Sequence, residues 1–198
     1  MGTSISITYR VEGYGQSMKN LLRNTRSYLI GHMENLNGEG WRKEVEEKLK
    51  DRNIKFFNPY IKPFADNIPE DDEARNEMSK WRDTEQYDVL AQRMKQIRGF
   101  DLRLCDICDW FIAVINPKVA SWGSSEEITT VIREKKTLFI IIDDPLGKRA
   151  CPLWLFGVLP HKYIYNNLDE VIEVIKGIDD GIIKMTSDRF KLLKPEYR

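Results

Sequence analysis

Two short apolar runs dominate the hydropathy pattern, Trp110 to Ile115 and Thr137 to Ile142. Each is rich in β-branched and aromatic residues and too short for a helix, so each reads as a buried strand. Between them Trp122-Gly123-Ser124-Ser125 reads as a tight turn ahead of Glu126 and Glu127, after which Ile128, Val131 and Ile132 recur at helical spacing. The stretch from Phe100 to Asp144 therefore runs strand, turn, helix, strand. In such a unit the C-terminal end of the first strand and the helix N-terminus face one crevice, where open parallel sheets take their ligands. The site is expected there.

Elsewhere, Ser4 to Val11 alternates polar and apolar residues as a half-buried strand does, and Gly13 and Gly15 end it. Ser27 to Ile30 reads as a short strand closed by Gly31, with a loop rich in Gly and Asn from His32 to Gly40. Trp41, Val45 and Leu49 make one apolar helix stripe, leaving Arg42, Lys43, Glu44, Glu46, Glu47, Lys48 and Lys50 to the wet face. Ile54 to Asn58 reads as another strand, halted by Pro59, and this second βαβ unit is expected to set its strand beside the Trp110 strand. The charged segment from Glu70 to Arg98, with anchors such as Trp81, Leu90 and Ile97, suits one or two amphipathic helices, either as a flap over the crevice or as a plain solvated layer. Gly99 breaks that pattern, and Asp101 is placed to cap a short helix ahead of the Trp110 strand. After the second run come a turn at Asp143 to Gly147, an apolar loop at Pro152 to Gly157 and a last strand at Tyr163 to Tyr165. A final helix follows, capped by Asn167 or Asp169. The result is an α/β protein with a central parallel sheet of about five strands, divided into an N-terminal arm (1–26), an α/β domain (27–178) and a C-terminal tail (179–198).

Charge and composition narrow the function. Lys plus Arg and Asp plus Glu both number 31, so the formal net charge is zero and no basic excess is available to grip a nucleic-acid polymer. A small polar ligand fits better. Cys105, Cys108 and Cys151 are an odd number of cysteines for a chain of 198 residues and read as reduced, buried thiols in a cytoplasmic protein. Beside the lone CxxC of Cys105 and Cys108, His32 and His161 are the chain's two histidines, too sparse a set for the four ligands of a zinc site, so no metal is expected. No apolar stretch reaches the roughly 20 residues of a membrane helix, and no signal-peptide core stands at the N-terminus. Met1-Gly2 with Ser6 fits a short myristoylation pattern, but nothing basic follows and the match is read as chance.

Several residues could carry chemistry. Gly123-Ser124-Ser125 at a helix start offers free backbone N–H groups and the positive end of the dipole, which suit a carboxylate or phosphate. Glu127 is expected in the helix's first turn, where the dipole favours the ionised form that a nucleophilic carboxylate needs. A surface Glu that merely stabilises its helix would sit there too, and spacing alone favours that reading. Ile128, Val131 and Ile132 fix the buried arc so that Glu127 points in and Glu126 out, and two like charges so close can raise one pKa. Asp101 has an equally plain reading as a cap, and Tyr28 as core.

A resemblance spanning several segments changes these odds. Tyr28-Leu29-Ile30-Gly31, then a loop and a helix opening on Trp41-Arg42, resembles the Y-L-A-G-P opening of the nucleoside 2-deoxyribosyltransferase family and its nucleotide N-glycosidase relatives. Asp101 with Asp109, a strand, Ser121-x-Gly123-Ser124-x-x-Glu127, a helix, and Lys135-Lys136 before a strand are similar to that family's later motifs, and the Pro152-Leu153-Trp154 loop has a counterpart there. The likeness runs from about Tyr28 to Ile175. It implies a flavodoxin-like or Rossmann-like sheet and a retaining reaction at the N-glycosidic bond of a nucleoside or nucleoside 5′-monophosphate, without a cofactor. Glu127 matches the nucleophile, Asp101 the acidic group that meets the departing base, and Tyr28 the residue that positions the nucleophile. Ser121 matches a sugar-binding position, with Ser124 and Ser125 toward the sugar 5′ end and Gly31, His32, Asn116 and Gly123 as further substrate contacts. His32 stands where the family commonly has Pro, and Lys135-Lys136-Thr137 where it commonly has Gly-Lys-Pro, so base preference does not carry over. The family also implies a homodimer or larger homo-oligomer, with Tyr197 and Arg198 as candidates for a contact between subunits. Three other readings stand beside this one: a non-catalytic nucleotide sensor on the same fold, an NAD glycohydrolase, and a structural or phage-type adaptor.

Overall fold

The computed structural model describes residues 20–33, 39–62 and 68–184. The alternating stretch at Ser4 to Val11, most of the N-terminal arm, and Tyr197 and Arg198 lie outside them. Along the chain run β1 (Arg26–Gly31), α1 (Gly40–Lys48), β2 (Lys55–Phe57), α2 (Asp72–Asp83), α3 (Tyr87–Ile107), β3 (Trp110–Ile115), α4 (Trp122–Arg133), β4 (Thr137–Ile142), α5 (Leu153–Val158), β5 (Ile164–Tyr165) and α6 (Leu168–Asp179). The five strands form one parallel sheet in the order β2-β1-β3-β4-β5. Its strands read as unbroken apolar runs because helices cover both faces: every residue of β4 is buried, as is all of β3 but Ile115. α1 packs with α6, and α3 with α4, giving a three-layer α/β sandwich.

The strand order has one consequence for function. From β1 the chain moves outward to β2, then crosses back to β3 on β1's other side, so the direction of winding reverses between β1 and β3. At such a switch point the loops leaving the two strands part and open a crevice at their C-terminal ends. In the register Gly31 lies opposite Val114, which places His32 and Asn116 at this crevice. It is β1, not β2, that neighbours the Trp110 strand; β2 takes the outer edge, as expected of a three-residue strand with few residues to bury.

Several expected boundaries move. Gly99 does not end a helix, and Asp101 does not cap one: both lie within the 21 residues of α3. A helical Gly costs only about 1 kcal/mol relative to Ala, and burial of Ile97, Leu104 and Cys105 along α3 outweighs it. Pro152 to Gly157 is not an irregular loop, since Leu153–Val158 forms α5. Asn167 is the cap of α6, its side chain accepting from the Glu170 N–H at 2.9 Å. All three cysteines are buried free thiols. Where the arm meets the domain, Leu22 is buried, and its N–H donates to the buried Asp179 carboxylate at 2.7 Å, which Arg52 also binds at 2.9 Å. No helix among the described residues is long and apolar enough to cross a membrane.

Candidate active site

Glu127 lies in the second turn of α4, which begins at Trp122, one turn earlier than the sequence pattern suggests. The stripe of Ile128 and Val131 turns this face of α4 onto the sheet, so Glu127 is carried inward and is 7% exposed. There the fully buried Tyr28, from the middle of β1, donates its hydroxyl to Glu127 Oε1 at 2.7 Å. Asp101, which α3 delivers toward the same strand, lies close enough for its charge to act on both Tyr28 and Glu127. Three residues distant in sequence thus converge, and Tyr28 is both core and site. Glu126 points outward into an ion pair with Arg98, which holds its carboxyl below the usual range.

Two cations close the group. Arg42 is fully buried, which corrects its assignment to the wet face of α1. Its guanidinium reaches back under β1 and donates from Nε to the Leu29 carbonyl at 3.1 Å and from Nη2 to the Gly31 carbonyl at 2.9 Å. Trp41 and Tyr60 stack against it, with ring centres 4.6 and 5.3 Å from Cζ. This packing explains the glycine at the end of β1: a Cβ on Gly31 would sit 3.2 Å from both Arg42 Nη2 and Trp41 Cζ2 and 3.3 Å from the Val114 carbonyl oxygen. Lys62, just after β2, places its Nζ 3.2 Å from Asp101 Oδ1 and bonds Glu70 on its other side.

The charge balance sets the protonation state. Three carboxyls (Glu70, Asp101 and Glu127) face two cations (Arg42 and Lys62), and one added proton makes the enclosed group neutral. Burial penalises any uncompensated charge, so that proton is retained. Burial first, and then the charge of Asp101, pushes the Glu127 pKa up to about 8, against the opposing bond from Tyr28 and the charges of Arg42 and Lys62. Asp101 is likewise raised by burial, with Lys62 acting against the rise. The resting protein therefore holds Glu127 protonated at neutral pH, contrary to the helix-dipole expectation. Neither the neighbouring Glu126 nor the helix end is the cause. Burial keeps Tyr28 protonated far above its ordinary range, so it remains a donor, and burial pushes Arg42 down to about 10, still cationic at neutral pH.

The remaining expected site residues form a second group. His32, Asn116, Ser121, Ser124 and Ser125 line a crevice of about 60 Å³ floored by Val114 and Ile128. Burial lowers the His32 pKa, leaving a neutral imidazole that can donate or accept. The Ser121 hydroxyl bonds that of Ser124 at 2.8 Å, and the Ser125 hydroxyl donates to the Ser121 carbonyl at 2.9 Å. Gly123 is exposed in the first turn of α4, with open space where a Cβ would stand. Among the described residues no group of three His, Cys, Asp or Glu side chains converges as a metal site would.

Arg42, Tyr60, Lys62 and Glu70 escape the sequence reading. The signal for Arg42 was its place next to Trp41 on the helix that follows β1, while Lys62 and Glu70 flank a proline loop without periodicity. No protein-family model matches the chain, and no curated protein matches it.

Proposed function

We propose that this protein is an enzyme that cleaves or transfers the N-glycosidic bond of (deoxy)nucleosides or nucleoside 5′-monophosphates with retention, Glu127 acting as nucleophile. The observation that carries this reading is the buried 2.7 Å bond from Tyr28 to Glu127, with the charge of Asp101 acting on both, on the strand that borders the switch point of the sheet. Breaking such a bond builds positive charge at the anomeric carbon and leaves an electron pair on the base. A carboxylate is needed at the sugar and a proton at the base, and two carboxyls sharing one proton supply both. Tyr28 orients Glu127, and Asp101 serves the departing base. The crevice beside His32 and Ser121 takes the sugar, with Ser124, Ser125 and the start of α4 toward its 5′ end. The glycosyl-enzyme then passes to water in a hydrolase or to a second base in a transferase. No step calls for a cofactor.

A homo-oligomer belongs to the same reading. Trp122, Leu153 and Trp154 each stand more than 80% exposed, large apolar side chains of the sort that subunit contacts cover. Sedimentation of the purified chain as a monomer at micromolar concentration would remove this part of the proposal.

The deciding experiment incubates the protein with a panel of nucleosides and 5′-monophosphates, with and without a second free base, and separates the products by chromatography. Base release by the wild type, lost in Glu127→Gln while ligand binding persists, is the expected result. One observation favours a second reading, that of a nucleotide sensor: a carboxyl held protonated up to about pH 8 is not a ready nucleophile. A sensor binds members of the panel and releases no base from any of them. Free nicotinamide from NAD would move the substrate class to that dinucleotide.

A further inference from the structure

Lys62 is enclosed more tightly than any role as a surface cation requires. Its side chain is 4% exposed, Phe100 lies under the ammonium with its ring centre 5.2 Å away, and the charge is divided between Glu70 and Asp101, themselves 9% and 15% exposed at the side chain. Removing an ammonium from water is costly unless partners hold it. Here one of the partners is the residue assigned above to the departing base.

We propose that Lys62, held in place by Glu70, is a positioning residue that governs which of Asp101 and Glu127 carries their shared proton, and thereby how readily Asp101 releases a proton to the base. This rests on the reaction proposed above. In the productive state Glu127 is ionised and Asp101 protonated. The C–N bond breaks with its electron pair going to the base, the Asp101 proton moves onto the base, and the Glu127 carboxylate bonds the anomeric carbon. The Asp101 carboxylate left behind is neutralised by Lys62 at 3.2 Å. Lys62 thus disfavours the proton on Asp101 at rest and favours its departure in the transition state, which makes Asp101 the stronger acid. The other charged or titratable groups facing the pair are Tyr28 on β1, Arg42 on α1, Glu70 ahead of α2 and Cys105 on α3. The thiol is raised by burial and stays neutral, so Lys62 and Arg42 are the cations that act, and Lys62 is the one in contact with Asp101.

The test has two arms. In the first, carboxyl carbons labelled with ¹³C are titrated by NMR in the resting protein. Lys62→Met raises the Asp101 titration, whereas Glu70→Gln, by removing the competing carboxylate, lowers it. In the second arm the same variants are followed by pH–rate profile. The alkaline limb of kcat/KM moves up in Lys62→Met and down in Glu70→Gln, and Lys62→Arg restores the wild-type limb. Lys62→Met loses about tenfold or more with ordinary nucleosides, and the loss shrinks with an N7-methylated purine nucleoside, whose base departs without taking up a proton. Opposite shifts in the two variants are not produced by a merely structural lysine, and if Lys62→Met does not fold, Glu70→Gln still carries the sign. Unshifted Asp101 titrations overturn the inference whether or not base is released. Shifted titrations in a protein that releases no base overturn the proposed reaction, and Lys62's role in base departure with it.

Discussion

Glu127→Gln is expected to stabilise the protein, and to do so more as the pH rises. The folded chain holds Glu127 with a pKa of about 8 against 4.5 for an ordinary glutamate. Between those values the unfolded chain has released a proton that the folded chain retains, so stability falls as pH rises through this window and levels off above it. At about 1.4 kcal/mol per pKa unit the gap sets a ceiling near 5 kcal/mol at high pH, against roughly 1 kcal/mol at pH 5. Gln keeps the shape and the oxygen that accepts from Tyr28 but never ionises, so the variant escapes the penalty. Asp101 is also raised by burial and contributes to the wild-type slope in the same direction, and the difference between the two proteins reports Glu127 together with its coupling to Asp101. Urea melts of the two proteins at pH 5, 7 and 9 measure this directly. Curves that stay parallel across that range, or a Gln variant less stable than wild type at pH 9, would show that Glu127 is not held protonated and would remove the charge argument for the site.

Two further predictions concern the frame of the site. Arg42→Met leaves the Leu29 and Gly31 carbonyls without their bonds at 3.1 and 2.9 Å and removes a cation that holds the Glu127 pKa down; a loss of about 3–5 kcal/mol in urea melts is expected, with Glu127 titrating still higher by NMR. Gly99→Ala adds a methyl where nothing lies within 4 Å, inside a continuous α3, so a gain of about 0.5–1 kcal/mol is expected, and a loss in the same melts would argue for a helix break at that position.

The sheet was legible because a parallel strand buried on both faces must be almost wholly apolar, and Trp110–Ile115 and, past Thr137, Leu138 to Ile142 are. Tyr28, Asp101 and Glu127 were legible as a site only as motifs in order: read singly, Tyr28 suits the core, Asp101 a cap, and Glu127 a helix-stabilising role that its inward arc alone does not exclude. Arg42 was misread because an amphipathic pattern treats every cation as wet. A guanidinium satisfied by two main-chain carbonyls and stacked on Trp41 leaves no trace in side-chain periodicity. Gly99 was overweighted, since its cost of about 1 kcal/mol is small beside the burial of Leu104 and Cys105 on the same helix. Lys62 and Glu70 could not be found from the chain, because their contacts with each other and with Asp101 join residues that no local pattern connects.

The acid cluster is hard to explain as architecture. Position 127 lies on a helix face between buried Ser124, Ile128 and Val131, and an apolar residue there would remove a penalty of several kcal/mol above neutral pH. The carboxyl instead draws in a second acid, a hydroxyl from β1 and two buried cations, each of which needs further partners: main-chain carbonyls for Arg42, and Glu70 for Lys62. Groups whose pKa values are displaced in this way concentrate where a proton or a charge must be handled. A ligand sensor would need hydrogen-bonding groups in the crevice but not a buried titrating pair. The shared proton is the part of the arrangement that binding alone leaves without a use, and it is the part that cleavage of a glycosidic bond consumes.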